Sequence, residues 1–156
     1  MTALSVLLLA LGNLLPTGRL ALAALSSLPV MLAVMRFHRK AGVLVYAAAT
    51  LLSFLLLPRP EMPLLFGLVL GHYPVAKSAF ESFASRPAEW ICKFALCNVI
   101  FAAILFFFVS VFFPGLSLTP GWIAGGLAAG NLIFFVYDVG LSGLAQIITR
   151  RLTFDK

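Results

Sequence analysis

Residues 20–60 read LALAALSSLPVMLAVMRFHRKAGVLVYAAATLLSFLLLPRP. Two apolar runs, Leu20 to Met35 and Ala41 to Leu57, flank a turn carrying Arg36, Arg39 and Lys40. A membrane-crossing helix needs about 20 predominantly apolar residues, and both runs approach that length without a charge inside them. Pro58, Pro60 and Pro63 then bracket Arg59 and Glu61. Proline stops one helix and opens the next, so this stretch reads as helix, basic turn, helix, proline turn.

The same pattern continues in both directions. Apolar runs span Met1 to Leu15, Pro63 to about Phe83, Ala88 to Phe113 and Gly121 to about Ile148, making six in all. One helix from Leu4 to Met35 would be about 48 Å long, more than a bilayer needs. Pro16-Thr17-Gly18 interrupts it, and a tight hairpin is expected there. Leu4 to Leu15 resembles a signal-peptide core followed by Ala21-Leu22-Ala23, but it lacks a basic start and is expected to stay in place. Ser85 is the expected N-cap of the fifth run. An uncharged external loop is expected from Pro114-Gly115 to Thr119-Pro120.

Charge orients the segments. Of eleven Lys and Arg residues, nine fall on one side of the six runs: Arg36, Arg39, Lys40, Lys77, Arg86, Lys93, Arg150, Arg151 and Lys156. Opposite them stand Arg19 and Arg59. The positive-inside rule predicts six crossings with both termini cytoplasmic. A mean hydropathy of +1.09, with 62% hydrophobic and 10% charged residues, excludes an ordinary water-soluble domain. The expected fold is all-α, one transmembrane helical domain over residues 1–156, multi-pass in the cell membrane. Short turns leave no room for an extramembrane catalytic domain. The formal net charge of +6 reads as a topology signal that also attracts anionic lipid headgroups; nucleic acid is not an expected partner.

Polar side chains in hydrocarbon are costly, and each is a functional candidate. Helical rise puts His72 about 14 Å from the outer end of its segment, and Asn98 and Asn131 about 16 Å into theirs. Phe66, Tyr73, Phe101, Phe134 and Tyr137 could wall a site at that depth. The competing reading makes Asn98 and Asn131 interhelical glue. Pro74 removes the bond to the Leu70 carbonyl, and Pro29 does the same to Leu25 beside Ser26 and Ser27; interrupted helices point to transporter sites but also occur without ligands. Lys77 and Glu81 share a helix face, as do Glu89 and Lys93. Asp138 has no basic partner within one turn of its own helix and is expected to meet Lys93 or Lys77 from another, in an ion-pair network or gate at the cytoplasmic mouth. Gly126 and Gly130 form a G-x-x-x-G pair, as do Gly121 and Gly125, and Ala124 and Ala128 repeat the small-residue spacing that allows close helix approach.

Catalytic motifs fail on inspection. Gly140-Leu141-Ser142-Gly143 matches the G-x-S-G string of intramembrane serine proteases, but no histidine base follows Ser142. Aspartyl proteolysis needs a second membrane carboxylate besides Asp138, since Asp155 lies in the tail. H-E-x-x-H, Walker, dinucleotide and lipidation motifs are absent. Cys92 and Cys97 read as buried thiols, without partners for a metal site. No metal, cofactor or catalysis is expected.

Residues Leu4 to about Phe83 resemble the S components, the substrate-binding membrane subunits of energy-coupling factor transporters, and related six-span membrane proteins. The likeness lies in the short first helix, the Pro16-x-Gly18 break, the Leu28-Pro29-Val30 step and the basic turn closed by Gly42. The resemblance implies a vitamin or metal-ion ligand, a separate transmembrane coupling subunit and two ATPases as partners. The chain departs from it in lacking an A-x-x-x-A docking pattern on the first helix and any vitamin-specific or His-rich N-terminal signature. The expectation is a small-molecule-binding subunit of an uptake system, with His72, Tyr73, Asn98 and Asn131 at the site and Lys77, Glu81, Lys93 and Asp138 as gate or ion-pair network. The alternative is a structural or assembly membrane protein of the cell envelope or sporulation machinery, without a small-molecule ligand.

Overall fold

The computed structural model describes residues 1–15, 17–82, 85–112 and 120–153. Among them the chain is all-helical: α1 (Thr2–Leu14), α2 (Arg19–Leu25), α3 (Leu28–Arg36), α4 (Arg39–Leu56), α5 (Glu61–Leu65), a π-helical turn (Phe66–Leu70), α6 (Tyr73–Phe80), α7 (Arg86–Phe112) and α8 (Pro120–Thr153). Four stretches are long and apolar enough to cross a membrane: Arg19–Arg36, Arg39–Leu56, Pro87–Ile104 and Ile123–Ile148. The first run forms the shorter helix α1, and the fourth is divided into α5, the π turn and α6. Pro16, Phe83 and Ala84, the stretch from Phe113 to Thr119, and Phe154 to Lys156 lie outside the described residues.

The chain forms two compact units, Met1–Ser82 with Leu144–Lys156, and Phe83–Gly143. In the first, α1 packs on α2 and α4, and α3 packs on α4 and α6. Leu9, Ala23, Val30, Ala49, Leu57, Met62 and Phe66 make its core. Small side chains let these helices close in: in the Ala47-Ala48-Ala49 run of α4, Ala49 is fully buried. Outward faces are as apolar as the core: on α4, Leu44, Leu51 and Leu55 are 70%, 71% and 82% exposed. Such greasy surface suits lipid and would be a liability in water.

Local chemistry closes the hairpins. Gly18 adopts φ 78°, a left-handed conformation that a side chain would oppose, and it starts α2 right after the α1 turn. Arg19 Nε donates to the Leu15 carbonyl at 3.2 Å and its Nη1 reaches Glu61 Oε2 at 3.4 Å, bringing the α1–α2 turn and the proline turn to one end of the unit. At the other, Arg39 Nη2 donates to the Ser78 carbonyl at 2.8 Å, tying the basic turn to the last part of α6. Pro29 sits in the first turn of α3, just past a break at Ser26-Ser27. Those two hydroxyls donate back to the Ala23 and Ala24 carbonyls, each at 2.6 Å, so buried hydroxyls are satisfied within their own helix.

In the second unit, Ser85 occupies the position before α7, and its carbonyl accepts from Glu89 N at 3.2 Å. Gly130 on α8 is the close-approach glycine: any Cβ there would collide with the Phe101 ring. By contrast, nothing described comes within 4 Å of a Cβ built on Gly121, Gly125 or Gly126. The small-residue face is therefore used internally at Gly130, and Gly126 stays exposed.

Candidate functional site

In the first unit the unusual residues gather around the π turn. Gly71 N bonds to the Phe66 carbonyl five residues back, at 2.6 Å, which widens the helix and releases a backbone acceptor from regular pairing. Tyr46 on α4 donates its hydroxyl to the Gly67 carbonyl at 2.8 Å. The His72 ring lies edge-on to Tyr46, ring centroids 6.3 Å apart. Phe66 completes the group at 6.2 Å from Tyr46. Pro74 follows within the first turn of α6, so the expected kink takes the form of a wide turn and a helix restart.

Below this group, Tyr73 is buried and Lys77 is 1% exposed. The Lys77 ammonium lies 3.1 Å from Glu81 Oε1 and 6.0 Å from the centre of the Tyr73 ring. Glu81 is far more exposed, its side chain at 44%. The pair therefore runs from the interior toward the surface, a geometry in which the lysine stem is covered while the charge keeps a wet counter-ion.

In the second unit two polar layers link α7 and α8. Asn131 Nδ2 donates to Asn98 Oδ1 at 2.9 Å and Asn98 Nδ2 returns a bond to Asn131 Oδ1 at 3.2 Å. The second hydrogen of each amide goes to its own helix, at Phe94 O (2.9 Å) and Leu127 O (2.8 Å). All four amide N–H donors are thereby engaged within the protein. The equal depth of the two residues had allowed for this.

The other layer centres on Lys93, 2% exposed. Its ammonium sits 2.6 Å from Glu89 Oε1, 3.5 Å from Asp138 Oδ2 and 5.2 Å from the centre of the Trp90 ring. Asp138 is itself buried, so an ammonium brought from α7 offsets a desolvated carboxylate on α8. Trp90, Phe94, Phe134 and Phe135 pack around it, with Trp90 to Phe135 at 5.7 Å and Phe94 to Phe134 at 5.9 Å. Aromatic packing excludes water from the pair and strengthens it. Ser142 Oγ donates to the Asp138 carbonyl at 2.7 Å, turning the G-x-S-G hydroxyl back on its own helix.

The structure thus joins Asn98 to Asn131, Lys93 to Glu89 and Asp138, Lys77 to Glu81, and His72 to Tyr46. Tyr46 was not picked out from sequence. Its signal was slight: a single phenol in an apolar run, needing a buried acceptor. Cys92 and Cys97 are free thiols, and among the described residues no three His, Cys, Asp or Glu side chains converge as metal ligands would. In comparisons with known proteins, the chain matches no family model, no curated protein and no solved structure.

Proposed function

We propose that the chain is a multi-pass cell-membrane protein of six spans with both termini cytoplasmic, serving as a non-catalytic structural or assembly subunit of a larger envelope complex. The observation that carries this reading is the closed Asn98–Asn131 pair, in which every amide donor is used between or within helices. A ligand site would hold donors in reserve. Lys93 and Asp138 fit the same logic, since a buried ion pair fixes which helices meet and in what register. Threading follows from cation placement. It is supported by Arg39 meeting Ser78 at one end of the first unit and Arg19 meeting Glu61 at the other.

A second reading keeps the S-component resemblance, with a vitamin-like ligand, a transmembrane coupling subunit and ATPases as partners. It draws on the π turn at Phe66–Leu70 and the Pro74 restart, because an interrupted helix lined by His72 and Tyr73 is the kind of backbone that membrane transporters use for binding. Affinity purification of the full chain from mild detergent separates the two. Envelope-synthesis proteins among the stoichiometric partners support the first, and co-purifying ATPases support the second. Threading is tested by labelling Lys40→Cys and Arg59→Cys in a background without Cys92 and Cys97; labelling of both from the same side of the membrane refutes it.

A further inference from the structure

The turn between α3 and α4 carries a feature beyond topology. An open depression of about 710 Å³ is lined by Val34, His38, Arg39, Lys40 and Ser78, and among the described residues no carboxylate lines it. Arg39 is held in place by its bond to the Ser78 carbonyl at 2.8 Å, which leaves the rest of its planar donor fork for another acceptor. Lys40 and His38 stand on either side of it in sequence, all three exposed. The depression also lies at the start of an 18-residue helix whose N-cap, His38, makes no side-chain bond to the first turn. The positive end of that helix adds to the cationic field. Phe37, 57% exposed, and Met35, 48% exposed, flank the turn with apolar surface suited to the acyl side of a bilayer interface.

We propose that this depression is a phosphate-binding site, which takes the phosphodiester or phosphomonoester of an anionic lipid headgroup or, equally by its chemistry, a soluble phosphate ester. The Arg39 fork supplies paired N–H donors to phosphate oxygens, Lys40 supplies a point charge, and Val34 gives an apolar floor beneath. The exposed Phe37 and Met35 favour the lipid as source. Only the choice of leaflet rests on the threading proposed above, and the chemistry of the site is independent of it.

The test uses the full chain in nanodiscs. One arm measures, by native mass spectrometry, how strongly the protein retains phosphatidic acid or phosphatidylglycerol from a phosphatidylcholine bilayer. The other titrates inorganic phosphate into neutral phosphatidylcholine nanodiscs and follows phosphorus NMR. Arg39→Lys preserves the charge and the topology signal while removing the fork, and is expected to lower retention about threefold or more. Lys40→Gln is expected to lower it about fivefold, the loss of one cation near the surface. Arg19→Gln, on the turn at the opposite end of its unit, is expected to change nothing. The same variant pattern with lipid supports a headgroup site, and with inorganic phosphate alone it supports a soluble ester. The proposal is overturned if Arg39→Lys matches the parent in both arms, or if Arg19→Gln weakens binding as much as Lys40→Gln, since binding would then follow charge count alone. A failure of the cysteine-labelling test with these arms intact would move the site to the other leaflet and leave it standing.

Discussion

Replacing Asn98 and Asn131 singly and together by leucine isolates what the α7–α8 amide pair contributes. Two hydrogen bonds cross between the helices, at 2.9 and 3.2 Å, and two more stay within them. In a thermodynamic cycle the intrahelical bonds cancel, because each is lost in one single variant and again in the double. Interhelical bonds in membrane proteins average about 0.6 kcal/mol and reach about 1.7 kcal/mol. Two of them give an expected coupling of about 1–3 kcal/mol, with the lower half favoured because both amides are only half-buried. Each single variant is expected to lose about 2 kcal/mol, as the surviving amide keeps one intrahelical bond but has no partner across the interface. The double variant is expected to lose less than the sum. Reversible unfolding in mixed detergent micelles, or steric trapping in bicelles, measures all four corners of the cycle. Additive singles, with coupling below about 0.3 kcal/mol, would refute the lock and return both amides to the list of ligand contacts.

Other consequences can be checked in the same preparations. Lys93→Met removes the ammonium that Asp138 and Glu89 share and is expected to destabilise the protein by about 3–5 kcal/mol, whereas replacing Lys93 and Asp138 together by apolar residues is expected to cost far less; equal losses would show that the charge left on Asp138 is not what destabilises the single variant. Gly130→Leu drives a side chain into the Phe101 ring and is expected to cost about 1–3 kcal/mol, partly recovered by Phe101→Ala, while Gly126→Ala is expected to stay within about 0.5 kcal/mol of the parent. Tyr46→Phe removes the hydroxyl from the Gly67 carbonyl and is expected to cost about 1 kcal/mol and to speed amide exchange at Gly71; unchanged exchange would mean that Tyr46 does not support the π turn.

Hydropathy and charge were enough to read where the apolar runs begin and end, though not that the second and fourth divide into shorter helices, because each run is bounded by a residue that cannot sit in hydrocarbon or cannot continue a helix. Arg36, Arg39 and Lys40 mark one such boundary and Pro58 to Pro63 another. The Lys93–Asp138 contact was legible for an energetic reason: a lone carboxylate in an apolar helix demands a cation, and few were in reach. The amide pair was legible from matched depth. The π turn was not, since Phe66 to Leu70 is uniformly apolar and hydropathy carries no information on whether a carbonyl bonds four or five residues ahead. Nor was Tyr46, whose role depends on that turn. The break at Ser26-Ser27 was foreseen from Pro29, but not that the two serine hydroxyls would cap Ala23 and Ala24 themselves.

The saturated amide ring on α7 and α8 has an electrical corollary. Proton hopping requires groups that surrender one proton while accepting another, and carboxamides do not do this near neutral pH. Asn98 lies about 7.5 Å along α7 from Lys93 at 1.5 Å per residue, with both of its N–H groups already committed. The pair therefore offers no relay of its own: charge rearrangement at Lys93 and Asp138 cannot pass as protons through these two amides.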